Sequence, residues 1–466
     1  MLTKMRVKNF KAWKDSGEIR LAPLTVLFGT NSAGKSSLGH LLLALKQTAA
    51  SADRRRALHT GDDASLIDLG TFSECLHGHD TKAALDFSLS WKLDKPLEVI
   101  NPLEKTERYK GSKLSLDCTL EASPSGQPIV RKIHYSLGGD SDGPDGADLL
   151  EISFGQPASG KPTLKSEPYH LVFADGRKWP LDAPDKFYRI SDRSMARYKN
   201  ADFLTDFALA TERLLSGLSY LGPLRERPRR TYPWSGNIPE SVGPTGEHTI
   251  ACLLAAKAEE TSLNRGFKKK NQPFKAFIAS WLVELGVIES FDVNTVAAGR
   301  KDYEVKVKTS GASTAVDLPD VGFGVSQVLP ALVQAFYCAP GSIVWMEQPE
   351  IHLHPQVQSG LADVFISAIR ASENGQPRNV QLIIETHSEH FLNRLQRRIA
   401  EELVTPEDVA IYFCEPGANG SSIRELEVNE YGDISNWPDH FFGDEMGDLV
   451  ARTEAAAQRK SEREEP

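Results

Sequence analysis

The residues Gly29-Thr30-Asn31-Ser32-Ala33-Gly34-Lys35-Ser36-Ser37 contain a complete G-x-x-x-x-G-K-S loop, and the chemistry of such a loop is phosphate binding. Its glycines let successive backbone N–H groups turn inward onto phosphate oxygens. A helix starting at the loop adds its positive end to the same anion. Lys35 is then placed to reach the β- and γ-phosphates, and the Ser36 hydroxyl to sit on Mg²⁺. This chemistry needs a strand before the loop and a helix after it. Leu24-Thr25-Val26-Leu27-Phe28 reads as a buried strand, and Leu38, Leu41, Leu42 and Leu45 recur at helical spacing on one face. With strand, loop and helix all in place, a chance glycine-rich turn is the weaker reading. The chain is expected to bind a nucleoside triphosphate.

A second run completes such a site. In Ile343-Val344-Trp345-Met346-Glu347-Gln348-Pro349-Glu350, four apolar residues deliver a carboxylate to the end of a strand. A magnesium-ordering strand needs this pattern, so Glu347 is the expected metal acid together with Ser36. His352 and His354 form an H-x-H pair that could hold a metal, but the only third ligand nearby is Glu350, and no C-x-x-C supports zinc. Two basic clusters, Arg225/Arg227/Arg229/Arg230 and Lys268-Lys269-Lys270, could touch a phosphate backbone; a solvated surface is the favoured reading of both.

The frame that must position these residues is large. The 466 residues suffice for two or three domains, with 40% hydrophobic and 25% charged residues, as in ordinary globular proteins. A net charge of −9 argues against a chain that is basic throughout. Five cysteines without paired spacing read as reduced thiols, and neither a signal peptide nor a long apolar span is present. A cytoplasmic location without membrane partners is expected. Residues 1–50 read as strand, strand, loop and helix. From about Asp62 to Leu181 short alternating segments mark a β-rich lobe. Helical periodicity dominates in Phe203–Leu218, Glu247–Ala258 and Pro273–Leu285. Alternation returns from Asp292 to Lys308, and apolar strands follow at Ser342–Met346 and Gln381–Ile384. The tail after Met446 reads as a polar helix.

Glu347-Gln-Pro-Glu-Ile-His-Leu-His-Pro355 resembles the E-[EQ]-P-E-x-H-L-H-P segment of ABC-type ATPases of the OLD (overcoming lysogenization defect), RecF and SMC group. Val321-Gly-Phe-Gly-Val-Ser-Gln-Val-Leu-Pro330 is similar to the group's degenerate signature, and Gln381-Leu-Ile-Ile-Glu-Thr-His-Ser388 to its switch-histidine strand. Val7-Lys-Asn-Phe-Lys-Ala-Trp13 fits the same pattern. Asp68–Phe72, Tyr220–Arg225 and Asn436–Phe442 look like a subfamily often encoded in bacterial anti-phage defence systems.

The resemblance implies an α/β fold: an ABC-type P-loop ATPase head with a mixed sheet, an inserted β-rich lobe and a helical subdomain. The expected division is 1–60 and 291–415 for the two parts of the ATPase core, 61–200 for the lobe, 201–290 for the helical insertion and 416–466 for a C-terminal extension. It also implies ATP and Mg²⁺ as ligands and a head-to-head dimer. There the signature segment of one subunit (Gly322, Gly324, Ser326 and Gln327 here) caps the γ-phosphate held by the other. His387 would sense that phosphate or position water.

One departure bears on mechanism. These ATPases usually place a glutamate after the metal acid as general base; this chain has Gln348, and an amide cannot accept the proton. Glu347 could act instead, Glu350 could swing in, or hydrolysis could be slow, with ATP serving as a clamp. The favoured expectation is a slow ATPase in DNA-linked work, in anti-phage defence, with a separate effector such as a nuclease and with DNA as a candidate partner. The chain shows no Toprim pattern: its one D-x-D, Asp140-Ser-Asp142, lies in a glycine-rich loop. The alternatives are a nucleotide-gated scaffold with negligible turnover and a DNA-repair ATPase like RecF or SMC. A transporter subunit, a GTPase (no N-K-x-D) and a small-molecule kinase fit less well.

Overall fold

In a computed structural model the described residues are all but 140–147, 158–159, 177, 267–268, 310, 439–440, 442–449, 457–458 and 460–466. Asp140-Ser-Asp142, Lys268 and part of the Asn436–Phe442 segment therefore lie outside the described residues.

The centre is a six-stranded sheet in the order Leu218–Leu221, Ile343–Glu347, Gln381–Glu385, Leu24–Gly29, Val409–Glu415, Ser422–Glu425. The first five run parallel and the last is an antiparallel edge. Their residues are apolar on both faces because both faces are covered. On one face Leu27, Ile343, Trp345, Ile383, Ala410 and Tyr412 share a core with Leu38, Leu41, Leu42 and Leu45 of the Lys35–Ala50 helix. On the other, Leu24, Val26, Phe28, Val344, Met346, Leu382 and Ile384 pack with the helices Thr249–Ala258, Phe274–Glu284, Phe323–Tyr337, Pro355–Arg370 and Glu389–Ala400. The alternation of strand side chains thus assigns every core residue to a face. Gly39 lets the Lys35 helix lie close to the sheet, since a Cβ there would stand 2.3 Å from the Trp345 ring.

The β-rich lobe is one antiparallel sheet, and it takes in the start of the chain. Leu2–Phe10 pairs with Leu85–Ile100 on one side and with Trp13–Asp15 and Ile19–Arg20 on the other. The strands Arg108–Ala122, Pro128–Gly138, Asp148–Gly155 and Thr163–Glu167 follow in order. The expected boundary at residue 60 therefore divides a single sheet. Alternation at residues 5–10 announces a strand but not its partner. The boundary at 290 also shifts. The Ser290–Thr295 and Asp302–Lys308 hairpin pairs with Tyr232–Pro233, and its Phe291, Val293, Val305 and Val307 join the helical core. The edge strand Ser422–Glu425 likewise makes the sheet extend past the expected end at 415. The helices expected at 203–218, 247–258 and 273–285 form at Phe203–Ser216, Thr249–Ala258 and Phe274–Glu284.

Lobe and core are tied at buried polar points. The Gln381 side chain receives the Leu2 N–H at 3.0 Å and donates to Leu2 O at 2.7 Å and Ala22 O at 3.0 Å. At the C-terminal end of the Lys35 helix, the buried Lys186 ammonium donates to the carbonyls of Thr48, Ala49 and Ser51 at 2.8, 3.1 and 2.8 Å. A cation there satisfies helix-end acceptors and complements the helix dipole. Lys186→Met should leave those acceptors unmatched and lower unfolding free energy by about 2 kcal/mol. Denaturant titration checks it; a loss below about 0.5 kcal/mol would show that the cap is dispensable.

Candidate functional site

The site lies where the parallel strands end, the edge at which open α/β sheets bind ligands. The phosphate loop follows the Leu24–Gly29 strand directly. Ser32 at φ 62° and Gly34 at φ 81° alternate with ordinary residues, the geometry that turns backbone N–H groups into a concave anion seat. A Cβ on Gly34 would meet the Ala12 Cβ at 2.8 Å, and the Trp13 indole N–H donates to Gly34 O at 2.9 Å. Trp13 is fully buried and braces the loop from the lobe sheet. The Asp68–Phe72 segment and the short helix that follows from it support that brace: Lys11 Nζ donates to Leu69 O at 3.2 Å and Lys11 N to Cys75 O at 2.8 Å.

Glu347 ends its strand as the sequence suggests, and the parallel register sets Glu385 beside it. Both carboxylates fall on the face of the Lys35 helix. Glu385 Oε2 accepts the Ser36 hydroxyl at 2.8 Å, and its Oε1 lies 3.8 Å from Lys35 Nζ. Glu347 Oε1 accepts the Tyr220 hydroxyl at 3.0 Å and stands 3.8 Å from His40 Nε2. Burial, and then the neighbouring Glu385 charge, push the Glu347 carboxyl up to about 7. Burial also raises Glu385 and lowers Lys35. The Lys35 ammonium donates to Gly29 O at 3.1 Å and Thr30 O at 2.9 Å.

Two adjacent buried carboxylates and a serine hydroxyl form an oxygen donor set of the kind Mg²⁺ takes. The residues present fit that cation, because a positive charge between them would offset the burial that raises both acids and the Glu385 repulsion that adds to it at Glu347.

Of the other expected residues, Gln348 follows the acid at φ 44° and continues the ladder by donating its N–H to Glu385 O at 2.8 Å. Glu350 is buried, and its Oε1 accepts the His387 N–H at 2.7 Å. The His387 ring is exposed, and its pKa is lowered by desolvation and then by the Lys35 charge. His354 does helix work, accepting the Gln356 N–H to cap Pro355–Arg370. Among the described residues no group of three or more His, Cys, Asp or Glu could hold a metal.

The signature segment is separate from this cluster. Gly322 caps the Phe323–Tyr337 helix, which packs on the sheet face opposite the Lys35 helix. Gly322 is exposed and Gln327 half-buried, but Ser326 is buried in its own chain beside Tyr232, Thr249 and Pro330. Ser326 is the fourth residue of the helix, at the end of its first turn.

The basic cluster divides in two. Arg230 pairs with Asp317 and Asp320 and Arg229 with Glu226, as solvated surface. Arg225 instead enters the site, with its Nη2 3.4 Å from Glu347 O.

A family model described as "AAA ATPase domain" matches residues 1–161 and 253–392. The chain belongs to this AAA ATPase domain family. Residues 404–451 of the ATPase match a second family, described as "Protein of unknown function (DUF3696)". No curated protein matches it in sequence. Solved structures similar to it include an Smc head bound to the C-winged helix domain of ScpA (12% identity, 92% of this chain and 98% of that one, TM-score 0.43). An Smc head with an extended coiled coil bound to the C-terminal domain of ScpA, from Pyrococcus furiosus, is 10% identical (91% and 96% covered, TM-score 0.42). The SMC head domain from Thermotoga maritima is 11% identical (92% and 99% covered, TM-score 0.39).

Sequence reasoning missed Glu385, Tyr220, Arg225, His40 and Trp13 as site residues of the ATPase. Glu385 had a signal, since it ends an apolar strand just as Glu347 does. Arg225, Tyr220 and Trp13 stood in segments the sequence singled out, but their roles at the site, like that of His40, depend on strand pairing across the chain.

The Glu347 shift sets a pH dependence. Its ordinary value of 4.5 rises to about 7 on folding, so the folded state holds the proton more tightly. Stability of the nucleotide-free ATPase should therefore fall as pH rises through that window, and the penalty is complete above it. Glu347→Gln should stabilise the nucleotide-free protein at pH 8, by up to roughly 3 kcal/mol, with the gain shrinking toward pH 5. Melting curves at both pH values check this; a variant less stable than wild type at pH 8 contradicts it.

Proposed function

We propose that this ATPase binds ATP with Mg²⁺ at the phosphate loop and closes head-to-head with a second copy around it. The observation that carries the reading is the pairing of Glu347 with Glu385 beside Ser36 and Lys35, at the end of the strand-loop-helix unit. Residues Gly29 to Ser37 seat the phosphates. Lys35 gives up its carbonyl contacts for the β- and γ-oxygens, and Ser36 and Glu347 hold the metal. A Mg²⁺ held by Ser36 and Glu347 would supply positive charge against the charge that develops on the phosphates. His387 and Glu350 line the γ-phosphate end, held to each other by the His387 N–H.

The dimer reading draws support from the position of Gly322–Gln327 on the far face of the sheet from the Lys35 helix. Gly322, Gly324, Ser326 and Gln327, at the start of the Phe323–Tyr337 helix, are then the residues to meet a partner's phosphate.

Turnover is slow in this reading. Gln348 orients water without taking its proton, and Glu350 is buried and occupied at one oxygen. The ATP-bound dimer is then a long-lived clamp. The resemblance of residues 68–72, 220–225 and 436–442 to defence-associated ATPases makes anti-phage defence the setting, with cleavage by a separate nuclease and DNA as a candidate ligand. A nucleotide-gated scaffold with negligible turnover shares every binding residue and differs only in rate.

Lys35→Ala should weaken ATP binding at least about a hundredfold, and Gln348→Glu should speed hydrolysis at least about tenfold. ATP with Mg²⁺ should convert monomer to dimer in light scattering. Rapid wild-type turnover, or no acceleration by Gln348→Glu, overturns the clamp. A mass unchanged by ATP overturns the dimer, and DNA cleavage by the isolated chain overturns the separate effector.

A further inference from the structure

The Arg225 guanidinium has no counterpart in the phosphate-loop chemistry. It sits just past the end of the Leu218–Leu221 strand, the neighbour of the Glu347 strand, at the sheet edge that carries the phosphate loop. Its Nη2 contacts only the Glu347 main-chain carbonyl, at 3.4 Å, while its Nε and Nη1 are shielded from solvent without an acceptor. The two nearest carboxylates do not bind it. Glu347 Oε1 is taken by the Tyr220 hydroxyl and Glu350 Oε1 by the His387 N–H; Glu350 Oε2 is itself buried and unpartnered. Burial lowers the guanidinium to about 10, so it remains charged at neutral pH. Unpaired buried donors on a charged group are costly, so the arrangement calls for an acceptor that arrives from outside. An anion rich in oxygens suits a guanidinium, and a terminal phosphate is the anion this edge is shaped to receive.

We propose that Arg225 is a phosphate-binding residue of this site, donating its unpaired N–H groups to the terminal phosphate of the bound nucleotide. The inference rests on the ATP-binding reading and deepens it. Arg225 distinguishes triphosphate from diphosphate, whereas the phosphate loop holds both. The contact also has a route onward through the same segment. Glu226 N donates to Thr245 O at 2.8 Å, and Arg230 pairs with Asp320, two residues before the signature helix cap Gly322.

Calorimetric binding of ATPγS and ADP, each with Mg²⁺, to the full chain tests it. Arg225→Gln should weaken ATPγS about ten- to a hundredfold and ADP less than about threefold, with Arg225→Lys intermediate. Glu350→Gln separates the competing role. If Arg225 serves only to neutralise Glu350, the double variant Arg225→Gln/Glu350→Gln regains wild-type ATPγS affinity, and the proposal fails. Equal loss for both nucleotides, or no loss, also overturns it. Melting temperatures show whether the variants are folded; if Arg225→Gln does not fold, Arg225→Lys alone decides by the same ratio of affinities. Wild-type protein that binds neither nucleotide would overturn the ATP-binding reading itself, a result distinct from wild-type binding without Arg225 selectivity.

Discussion

Everything at this site depends on two carboxylates that the sheet register forces together. Glu347 and Glu385 are direct partners on adjacent parallel strands, where chains run about 4.8 Å apart, and both point to the face of the Lys35 helix. At that separation two ionised carboxylates repel by roughly 3 kcal/mol at an effective dielectric constant near 20. Lys35 offsets this only in part, since its ammonium donates to the loop's own carbonyls while one Glu385 oxygen lies 3.8 Å away. Without ligand, the fold therefore holds a deficit of positive charge next to an anion seat. A divalent cation bound together with a phosphate would meet both halves of such a site.

Holding that imbalance requires a stiff surround, and the bracing comes from both ends of the Lys35 helix. At its start, Trp13 reaches from the lobe sheet to Gly34 and fixes the loop; at its end, Lys186 from the lobe closes the carbonyls. In the middle, Gly39 allows contact with Trp345, whose strand ends two residues later in Glu347. Gln381 opens the strand that ends in Glu385 and is anchored to Leu2 and Ala22. Each carboxylate is thus positioned by a strand whose far end or flank is clamped to the lobe. The antiparallel lobe is part of the nucleotide site's foundation.

Local pattern made much of this visible. The phosphate loop announces itself through Gly29, Gly34, Lys35 and Ser36, and Glu347 through the apolar run before it. The helices at 203–216, 249–258 and 274–284 show their period directly. What stayed hidden depends on which strand pairs with which. Leu2–Phe10 alternates like any half-buried strand, and only long-range hydrogen bonding assigns it to the lobe. Tyr220 and Arg225 become site residues because Leu218–Leu221 pairs in parallel with Ile343–Glu347, and Arg225 meets Glu347 across 122 residues of sequence. Glu385 had the same local signature as Glu347, but the nearby His387 drew the reading. Ser326 lies in the first turn of the helix that begins at Phe323, as motif order suggests, but is buried within its own chain.

The substitution at Gln348 looks different once Glu385 is counted. Gln348 occupies φ 44°, a conformation that a non-glycine residue adopts at a cost of order 1 kcal/mol, and its N–H secures the ladder to Glu385 O. The backbone there is set by the sheet and makes no demand for an acid or an amide side chain. Electrostatics does make one. With Glu347, Glu350 and Glu385 already buried together, a glutamate at 348 would add a fourth carboxylate beside a single lysine and a partly engaged arginine. A neutral amide keeps the carboxylate count of the site within what Lys35, Arg225 and a divalent cation can balance. The acid absent from position 348 and the acid present at 385 are therefore two sides of one charge constraint. The slow hydrolysis proposed for Gln348 would then follow from where the sheet puts its negative charge.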